Sequence, residues 1–563
     1  MKFLLSAIMI LSCAIESKIF NSQAIVHPEV GANGMVVSQH YLATDVGHAI
    51  LGSGGNAYDA SIAVAFALAV VLQRAGNIGG GGFMVMHDAA LNKSFSIDYR
   101  EIAPATATKD MYLNADGTVD KMRSRQGVLA IGVPGTVAGM WEIHKKFGSM
   151  PWDQLLEPAI VLARDGFAMS PFMADALNGR YKKLSKFKNF KSIFYANYPV
   201  EMHSTLTQPN LAKTLEAISS KGAIGFYEGE IANLIADYMK KNNGLITKAD
   251  LKNYKAVWRE PVRGNYNEFE IVTMPPPSSG GIHIIQMLNI LEHYNLPEMG
   301  HNSPTYVALL TEVMKYAYAD RSKYLGDPDF FDVPVNELIS KEYAKEVKSR
   351  IKLNQITPSD KILPGDAMSH ESMDTTHFSV ADQFGNVTSN TYTLNSGFGS
   401  GIVVDGTGVL MNNEMDDFVS APGIPNQFGL IGGEANKIEP LKRPLSSMTP
   451  TIVFHENKPI IATGSPGGSR IITAVLQFLL NTLDFKMEIS DATVVPRIHH
   501  QWKPDVLMLE KGFDAKHATT IESLNQRIYL SGPGTSLESL EIKNNLFYGF
   551  GDTRRPDSKA KGL

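Results

Sequence analysis

Residues 374–380 read D-T-T-H-F-S-V, and together with the sequence up to Asn395 they predict a β-hairpin. A three-residue loop at 383–385 that ends in glycine is a favoured hairpin connection, because glycine readily adopts the left-handed conformation needed at that position. In this register Thr375 faces Thr393, and side chains that pair across two strands lie within reach of each other. Asn395 is expected on the same face as Thr393, because side chains alternate along a strand.

Thr375 is a candidate nucleophile if the chain is cut between Asp374 and Thr375. The residues just before it, at 363–373, form a polar run without periodicity that suits a cleavable loop. The new terminal amine would have a pKa of about 7.7–8.0 and could accept the hydroxyl proton near pH 7. A lone Thr-Thr pair can also be an ordinary strand start. His377, on the same strand face, is either an alternative general base or a packed or surface histidine.

Other polar segments can complete a site around this threonine. An arginine ends the second strand of a predicted hairpin that begins with four glycines at 79–82. The segments 411–418 and 442–450 carry acids and hydroxyls, and the glycine turn at 464–470 opens a helix whose N–H groups can face a developing oxyanion. The candidate residues in these segments are Arg100, Glu414, Asp417, Ser446, Ser447, Gly467 and Gly468.

The charges of these candidates match an amino-acid zwitterion. A guanidinium can hold a carboxylate bidentately, and two acidic side chains can hold an ammonium group. Each segment taken alone also has a structural explanation: a capped turn, a strand entry or a helix start. Their joint occurrence with the threonine hairpin favours a binding site.

The composition is that of a large globular protein. The chain has 563 residues, of which 44% are apolar and 19% charged, and its net charge is -5. No basic stripe appears, so we expect no nucleic-acid partner. The apolar segment 57–72 predicts a helix buried in a core rather than a membrane span. No H-E-x-x-H motif or clustered Cys/His spacing is present in the sequence, and we expect no required cofactor or metal.

The N-terminus predicts export. A lysine precedes the apolar stretch 3–15, and the small residues of S-Q-A at 22–24 offer a cleavage site, which defines residues 1–24 as a secretory signal. We expect a periplasmic or secreted protein. The single cysteine, Cys13, lies within this signal, so the mature chain would contain no thiol. The letters I-L-S-C also faintly resemble a lipoprotein cleavage box, in which Cys13 would carry lipid.

The blocks described above resemble, in their order along the chain, the gamma-glutamyltransferase family, also called gamma-glutamyltranspeptidases or glutathione hydrolases. The resemblance covers nearly the whole mature chain. It is carried by A-G-N-I-G-G-G-G-F (75–83), Y-R-E-I-A-P (99–104), G-V-P-G-T-V-A-G (132–139), P-P-P-S-S-G-G (275–281), T-T-H-F-S-V (375–380), N-N-E-M-D-D-F (412–418), K-R-P-L-S-S-M (442–448), G-S-P-G-G-S-R (464–470) and I-H-H-Q-W (498–502).

The resemblance implies an N-terminal-nucleophile hydrolase fold, a four-layer α/β/β/α sandwich made as a precursor that cuts itself. It implies a large subunit at 25–374 and a small subunit at 375–563 that form one continuous structural unit. The implied roles are the nucleophile for Thr375, its orientation for Thr393, the oxyanion hole for Gly467 and Gly468, the α-carboxylate contacts for Arg100, Ser446 and Ser447, and the α-amine contacts for Asn395, Glu414 and Asp417. The loop at 417–436 resembles the lid of the family, with Phe428 where a tyrosine is common.

The implied substrates are glutathione and other γ-glutamyl compounds, with water, amino acids or peptides as acceptors of the γ-glutamyl group. Two alternatives remain open. One is another amidohydrolase of the same fold, which acts on cephalosporin side chains or polyglutamate. The other is a secreted binding protein without catalysis, in which Thr375 never becomes N-terminal.

Overall fold

A computed structural model of the protein describes residues 26–362, 375–420, 432–532 and 534–563. The expected signal at 1–24 with Cys13, the residue before the expected cut, Asp374, and the lid residue Phe428 lie outside these ranges. Within the described ranges, no helix combines the length and the apolar character that a bilayer crossing requires.

The strands of the described residues are β1 (Glu29–Gly31), β2 (Gly34–Ser38), β3 (Gly81–Asp88), β4 (Lys93–Asp98), β5 (Phe167–Ala168), β6 (Thr205–Leu206), β7 (Val257–Arg259), β8 (Val262–Tyr266), β9 (Phe269–Thr273), β10 (Thr375–Asp382), β11 (Val387–Thr393), β12 (Thr451–His455), β13 (Lys458–Thr463), β14 (Ile498–His499), β15 (Leu507–Glu510), β16 (Ile528–Ser531), β17 (Glu538–Lys543), β18 (Leu546–Gly551) and β19 (Lys559–Gly562).

The α-helices of the same residues are α1 (Tyr41–Gly52), α2 (Ala57–Val71), α3 (Thr136–Phe147), α4 (Trp152–Asp165), α5 (Pro171–Gly179), α6 (Tyr181–Leu184), α7 (Lys188–Phe194), α8 (Pro209–Lys221), α9 (Ile224–Tyr227), α10 (Gly229–Lys241), α11 (Lys248–Asn253), α12 (Gly280–Leu291), α13 (Leu296–Met299), α14 (Pro304–Tyr324), α15 (Val335–Leu338), α16 (Lys341–Arg350), α17 (Arg470–Leu483), α18 (Ile489–Val494) and α19 (Ala515–Ser523). Short 3-10 turns lie at Val128–Ala130, Ser359–Lys361, Glu414–Asp417 and Glu434–Asn436.

Two seven-stranded antiparallel sheets form the centre of the structure. The first sheet has the strand order β1-β18-β17-β13-β12-β9-β8, and the second has the order β19-β2-β10-β11-β3-β4-β7. The sheets face each other, with β10 in contact with β13 and β17. Helices α1 and α2 pack on the outer face of the second sheet, and α12 packs on the first. The expected four-layer α/β/β/α sandwich is therefore confirmed.

Alternation along the strands explains why both faces of the second sheet are buried. Val36 in β2 and Met84 in β3 belong to the core under the helices α1 to α4. Their neighbours Val37 and Phe83 point the other way, into the core that the two sheets share. Because successive side chains leave opposite faces of a strand, one apolar run supplies two cores.

Helix α2 confirms the prediction of a helix buried in the core. All of its residues are buried, and it packs against α1, α4 and the strands β10 and β11. The side chain of Asn56 caps the helix by accepting hydrogen bonds from the N–H groups of Tyr58 and Asp59. Such a cap satisfies donors that the first helical turn leaves without partners.

The predicted hairpin has the predicted register. Thr375 pairs with Thr393, and the pairing continues to Ala381 opposite Val387. Gly385 has a φ of +88°, the left-handed conformation expected at the end of the loop. Sequence reasoning therefore placed the two threonines on neighbouring strands correctly.

Both sheets mix strands from either side of the expected cleavage position. In the second sheet β10 and β11 lie between β2 and β3, and in the first sheet β12 pairs with β9. The two parts of the chain consequently form one continuous structural unit, as the resemblance implied.

The carboxylate of Asp382 ties the hairpin to α2, and its removal should lower stability. It accepts hydrogen bonds from the N–H groups of Ala57, Phe384 and Asn386 and from the side-chain amide of Asn386. Each buried donor left without an acceptor costs about 1–3 kcal/mol. We expect Asp382→Ala to lower the free energy of unfolding by roughly 2–4 kcal/mol, measured as a reduced melting temperature by calorimetry.

The matched control is Asp382→Asn, which keeps one acceptor oxygen and should lie between the wild type and the alanine variant. Equal melting temperatures for the alanine variant and the wild type would contradict this role of the carboxylate.

Candidate active site

A small cavity opens at the first residue of β10. It is lined by Arg100, Arg321, Thr375, Thr393, Asn395, Glu414, Asp417, Ser446, Ser447, Met448, Gly468 and Ile471. Every binding or catalytic residue predicted from the sequence is in this lining except Gly467, which directly precedes Gly468. The structure thus brings together segments that are more than three hundred residues apart in the chain.

Thr375 lies at the end of the sheet with its hydroxyl beside that of Thr393. The two oxygens are 3.3 Å apart, a weak hydrogen-bonding distance. The hydroxyl of Thr393 also accepts a hydrogen bond of 2.8 Å from the N–H of Asn395. Because β2 pairs with β10 only from Phe378 onward, the first residues of β10 have a strand neighbour on one side only.

The glycine-rich segment before β3 holds the backbone of Thr393. Asn77 donates from its side-chain amide to the carbonyl of Thr393 at 2.8 Å. A Cβ atom at Gly80 would lie only 2.1 Å from the same carbonyl oxygen, so this approach requires glycine. The sequence showed the glycines as the entry to a hairpin, but it did not show that they support Thr393 from across the sheet.

Arg100 occupies the centre of a buried charge cluster. Its guanidinium forms ion pairs with Glu414 and Asp417, the latter at 2.6 Å, and donates to the carbonyl of Pro444 at 3.3 Å. Burial opposes its charge, but the two carboxylates outweigh this effect and raise the pKa of Arg100. In this structure the guanidinium therefore pairs with the two acids that were expected to hold an ammonium group.

Glu101 adds a third acid to the cluster, which the sequence analysis missed. It is completely buried and lies 3.9 Å from the guanidinium of Arg100. Burial raises the pKa of Glu101, and it also raises the pKa values of Glu414 and Asp417. Three carboxyl groups around one arginine give this side of the cavity acceptor oxygens, which suit an ammonium group. The position of Glu101 directly after Arg100 in the sequence is the one feature that could have indicated its part in the cluster.

The two serines of the segment 442–450 line the cavity with hydroxyls that are free to donate. The oxygen of Ser446 accepts from the N–H of Met448 at 3.1 Å, and that of Ser447 accepts from Arg321 at 3.3 Å. Neither hydroxyl donates to an acceptor among the described residues. Each serine is consequently prepared to donate to an anion in the cavity.

Gly467 and Gly468 form the turn before α17, with φ angles of +138° and +57°. A side chain at Gly467 would collide with Thr535, since its Cβ would lie 2.7 Å from the Thr535 methyl group. The described residues provide no hydrogen-bond acceptor for the N–H groups of these two glycines. Unpaired N–H groups beside a cavity can stabilise an oxyanion.

His377 is a packed histidine and does not line the cavity. Its two ring nitrogens contact the hydroxyls of Thr391 and Ser379, at 2.8 Å and 3.0 Å. Burial lowers the pKa of His377 to about 3. The hypothesis that it acts as a general base for Thr375 is therefore not supported by the geometry.

The fold and the cavity define the class of N-terminal-nucleophile hydrolases, in which the first residue of a strand in an α/β/β/α sandwich carries the reactive hydroxyl. A solved structure of this class, a cephalosporin acylase from Bacillus halodurans, superposes with a TM-score of 0.86 at 25% identity and covers 97% of this chain and 98% of its own. This likeness confirms the fold expected from the sequence.

Sequence comparison identifies the family. The sequence model of the gamma-glutamyltranspeptidase family matches residues 43–562. The glutathione hydrolase proenzyme of Escherichia coli K12 is 48% identical over 541 residues, which are 96% of this chain and 93% of the relative. The glutathione hydrolase proenzyme of Pseudomonas sp. strain A14 is 44% identical, with 98% of each chain covered. The chain belongs to the gamma-glutamyltranspeptidase family.

The buried, neutral state of His377 predicts a pH-dependent contribution to stability. The unfolded chain binds a proton to this histidine below pH about 6.5, whereas the folded protein does so only near pH 3. The stability that the neutral histidine contributes is fully present above pH about 6.5 and is lost as the pH falls toward 3. When the pH is lowered from 7 to 5, the free energy of unfolding of His377→Gln should rise by roughly 2 kcal/mol relative to that of the wild type, as measured by calorimetry.

The control is His455→Gln at the partly exposed end of β12, which should show no such gain. If the free energy of unfolding changed with pH in the same way for His377→Gln and the wild type, the assignment of a neutral buried histidine would be contradicted.

Proposed function

We propose that the protein is a self-processing γ-glutamyltransferase and glutathione hydrolase with Thr375 as its nucleophile. The observation that supports this most strongly is the cavity itself. It combines the paired hydroxyls of Thr375 and Thr393 with an acidic side, at Glu414 and Asp417, and an anion-binding side. A substrate with both an ammonium group and a carboxylate next to a γ-amide fits this arrangement of charges.

In the proposed maturation, residues 1–24 are removed on export to the periplasm or outside the cell, and the bond between Asp374 and Thr375 is then cut. The large subunit at 25–374 and the small subunit at 375–563 would remain together, because each sheet contains strands from both parts. Cleavage would expose the α-amine of Thr375 at the cavity, next to its own hydroxyl.

In the proposed reaction, the Thr375 hydroxyl attacks the γ-carbonyl of the substrate while its α-amine takes the proton. Thr393 orients the hydroxyl through the contact between the two oxygens. The N–H groups of Gly467 and Gly468 stabilise the tetrahedral oxyanion, and loss of one such donor typically costs about 10²–10³ in rate. The leaving amine receives the proton from the Thr375 amine, and a γ-glutamyl ester remains on the enzyme.

The ester is then cleaved by a second nucleophile. Water releases glutamate, whereas an amino acid or peptide yields a new γ-glutamyl compound. The same α-amine can take the proton from either acceptor, since it is free again after the first step. No cofactor is needed for this sequence of steps.

In the proposed substrate complex, Asn395, Glu414 and Asp417 hold the α-amine, and Arg100, Ser446 and Ser447 hold the α-carboxylate. The ion pairs of Arg100 keep the buried charges compensated before substrate enters, because an unpaired buried charge is costly. The substrate zwitterion adds one charge of each sign and so preserves this compensation.

An amidohydrolase for substrates without the α-amine is the second candidate. Its support is the similarity to the Bacillus halodurans cephalosporin acylase. The acidic cluster around Arg100 argues for a γ-glutamyl substrate instead, since a substrate lacking the ammonium group would add a carboxylate to the buried site without a positive charge to balance it.

The role of Thr375 predicts the behaviour of Thr375→Ala. This variant should remain one uncut chain near 60 kDa, since both maturation and turnover require the hydroxyl. It should release no p-nitroaniline from γ-glutamyl-p-nitroanilide. Gel electrophoresis and the absorbance of p-nitroaniline measure the two effects. Thr375→Ser, which retains a hydroxyl, is the matched control and should still mature; a cut alanine variant would refute the assignment.

The charges of the cavity predict a preference among amides. The wild-type enzyme should cleave γ-glutamyl-p-nitroanilide at least about 100-fold better in kcat/KM than glutaryl-p-nitroanilide, which lacks the ammonium group, because a polar site rejects an analogue that leaves its groups unpaired. Equal or better cleavage of the glutaryl amide would favour the acylase instead.

A further inference from the structure

Arg321 is a second arginine of the cavity that the sequence analysis did not single out. It lies in the last turn of α14 and is 5% exposed. Its Nε donates to the hydroxyl of Ser279 at 3.0 Å, and its Nη2 donates to the hydroxyl of Ser447 at 3.3 Å. These contacts fix the plane of the guanidinium at the wall of the cavity.

Ser279 is held in place by two hydrogen bonds to the backbone of Ser446. Its hydroxyl donates to the carbonyl of Ser446 at 2.8 Å, and its N–H donates to the same oxygen at 2.8 Å. The turn at 275–279 thereby joins α14 to the serine segment. Arg321, Ser279 and the segment 446–447 form one hydrogen-bonded wall of the cavity.

The charge of Arg321 is not neutralised by the described residues. None of their carboxylates lies within 4.0 Å of its guanidinium nitrogens, in contrast to Arg100, which pairs with two acids. Burial lowers the pKa of Arg321 to about 10; Tyr318 and Asp417 only partly oppose this effect, and the positive charge of Arg100 adds to it. A buried cation without a close counter-ion beside a cavity favours the entry of an anion.

Arg321 also has N–H groups without an acceptor among the described residues. A guanidinium carries five N–H groups, and the described residues engage only those on Nε and Nη2. Nη1 has no hydrogen-bond partner among them. By contrast, Arg100 uses Nε, Nη1 and Nη2 on Pro444, Glu414 and Asp417.

The two arginines therefore differ in their surroundings. Arg100 lies among the carboxyl groups of Glu101, Glu414 and Asp417, whose oxygens outnumber its donors. Arg321 lies beside serine hydroxyls whose oxygens already accept hydrogen bonds from the protein. The carboxyl groups around Arg100 suit an ammonium group, and Arg321 with its serine hydroxyls suits a carboxylate.

We propose that Arg321 is a further substrate-binding residue, which donates from Nη1 to the α-carboxylate of the γ-glutamyl group and orients the hydroxyl of Ser447 toward the same carboxylate. This inference rests on the proposed function and assigns a second cation to the carboxylate besides Arg100. Arginine suits this position better than lysine, because its planar fork can contact Ser279, Ser447 and a carboxylate at once.

Three p-nitroanilides test the assignment by deleting one charge of the substrate at a time. They are the γ-glutamyl amide, the glutaryl amide, which lacks the ammonium group, and the 4-aminobutyryl amide, which lacks the α-carboxylate. The mature wild type, Arg321→Gln and Arg321→Lys are assayed with each. Arg263→Gln, which removes a partly exposed guanidinium from β8, is the matched control.

Arg321→Gln should lower kcat/KM for the γ-glutamyl amide relative to the 4-aminobutyryl amide by about 10- to 100-fold, mainly through KM, which is the effect of losing a charge-assisted hydrogen bond. The glutaryl amide should follow the γ-glutamyl amide, because both contain a carboxylate at this end. Arg321→Lys should lie between, since it keeps the charge but loses the fork. Arg263→Gln should match the wild type.

Equal losses on all three amides would overturn the inference and make Arg321 a structural residue. If Arg321→Gln fails to mature into two subunits, the ratio of kcat/KM for the γ-glutamyl and 4-aminobutyryl amides measured with Arg321→Lys decides. Failure of both variants to mature would also overturn the inference. If the wild type itself releases no p-nitroaniline from the γ-glutamyl amide, the proposed function fails rather than this assignment alone.

Discussion

The pairing of β10 with β11 is the constraint on which the site depends. It places Thr375 opposite Thr393 at the end of a sheet, where β2 leaves the first residues of β10 without a neighbour on one side. A slip of one residue would turn the hydroxyl of Thr375 to the other face. Gly385 in the loop, Asp382 at the turn and the glycines before β3 all fix the same register.

Charge balance is the second constraint, because nearly all groups of the cavity are buried. Arg100 lies among three carboxyl groups and Arg321 beside two serines, so the cavity offers groups for both an ammonium and a carboxylate. A substrate that carries one charge of each sign would satisfy both sets of groups, whereas a substrate with a single charge would leave one set uncompensated. Specificity would therefore arise from the cost of unpaired buried groups, as it does in other polar sites.

Local patterns predicted the parts of the fold that depend on local physics. The loop at 383–385 fixed the hairpin register, and the apolar run at 57–72 with its Asn56 cap gave a buried helix. The residues Asn77, Glu101 and Arg321 were missed, because their roles depend on contacts between distant segments. An arginine at the end of a helix usually favours the helix dipole from the surface, so nothing in the sequence of α14 indicated that Arg321 is buried against Ser447.

In the proposed mechanism Thr375 becomes an N-terminal residue and thereby carries both the nucleophile and its base. N-terminal sequencing together with the intact mass of the purified wild-type protein tests it most directly. Two chains are expected, one of which begins Thr-Thr-His-Phe at Thr375. A single uncut chain that cleaves γ-glutamyl amides at full rate, or a second chain that begins at another residue, would contradict it.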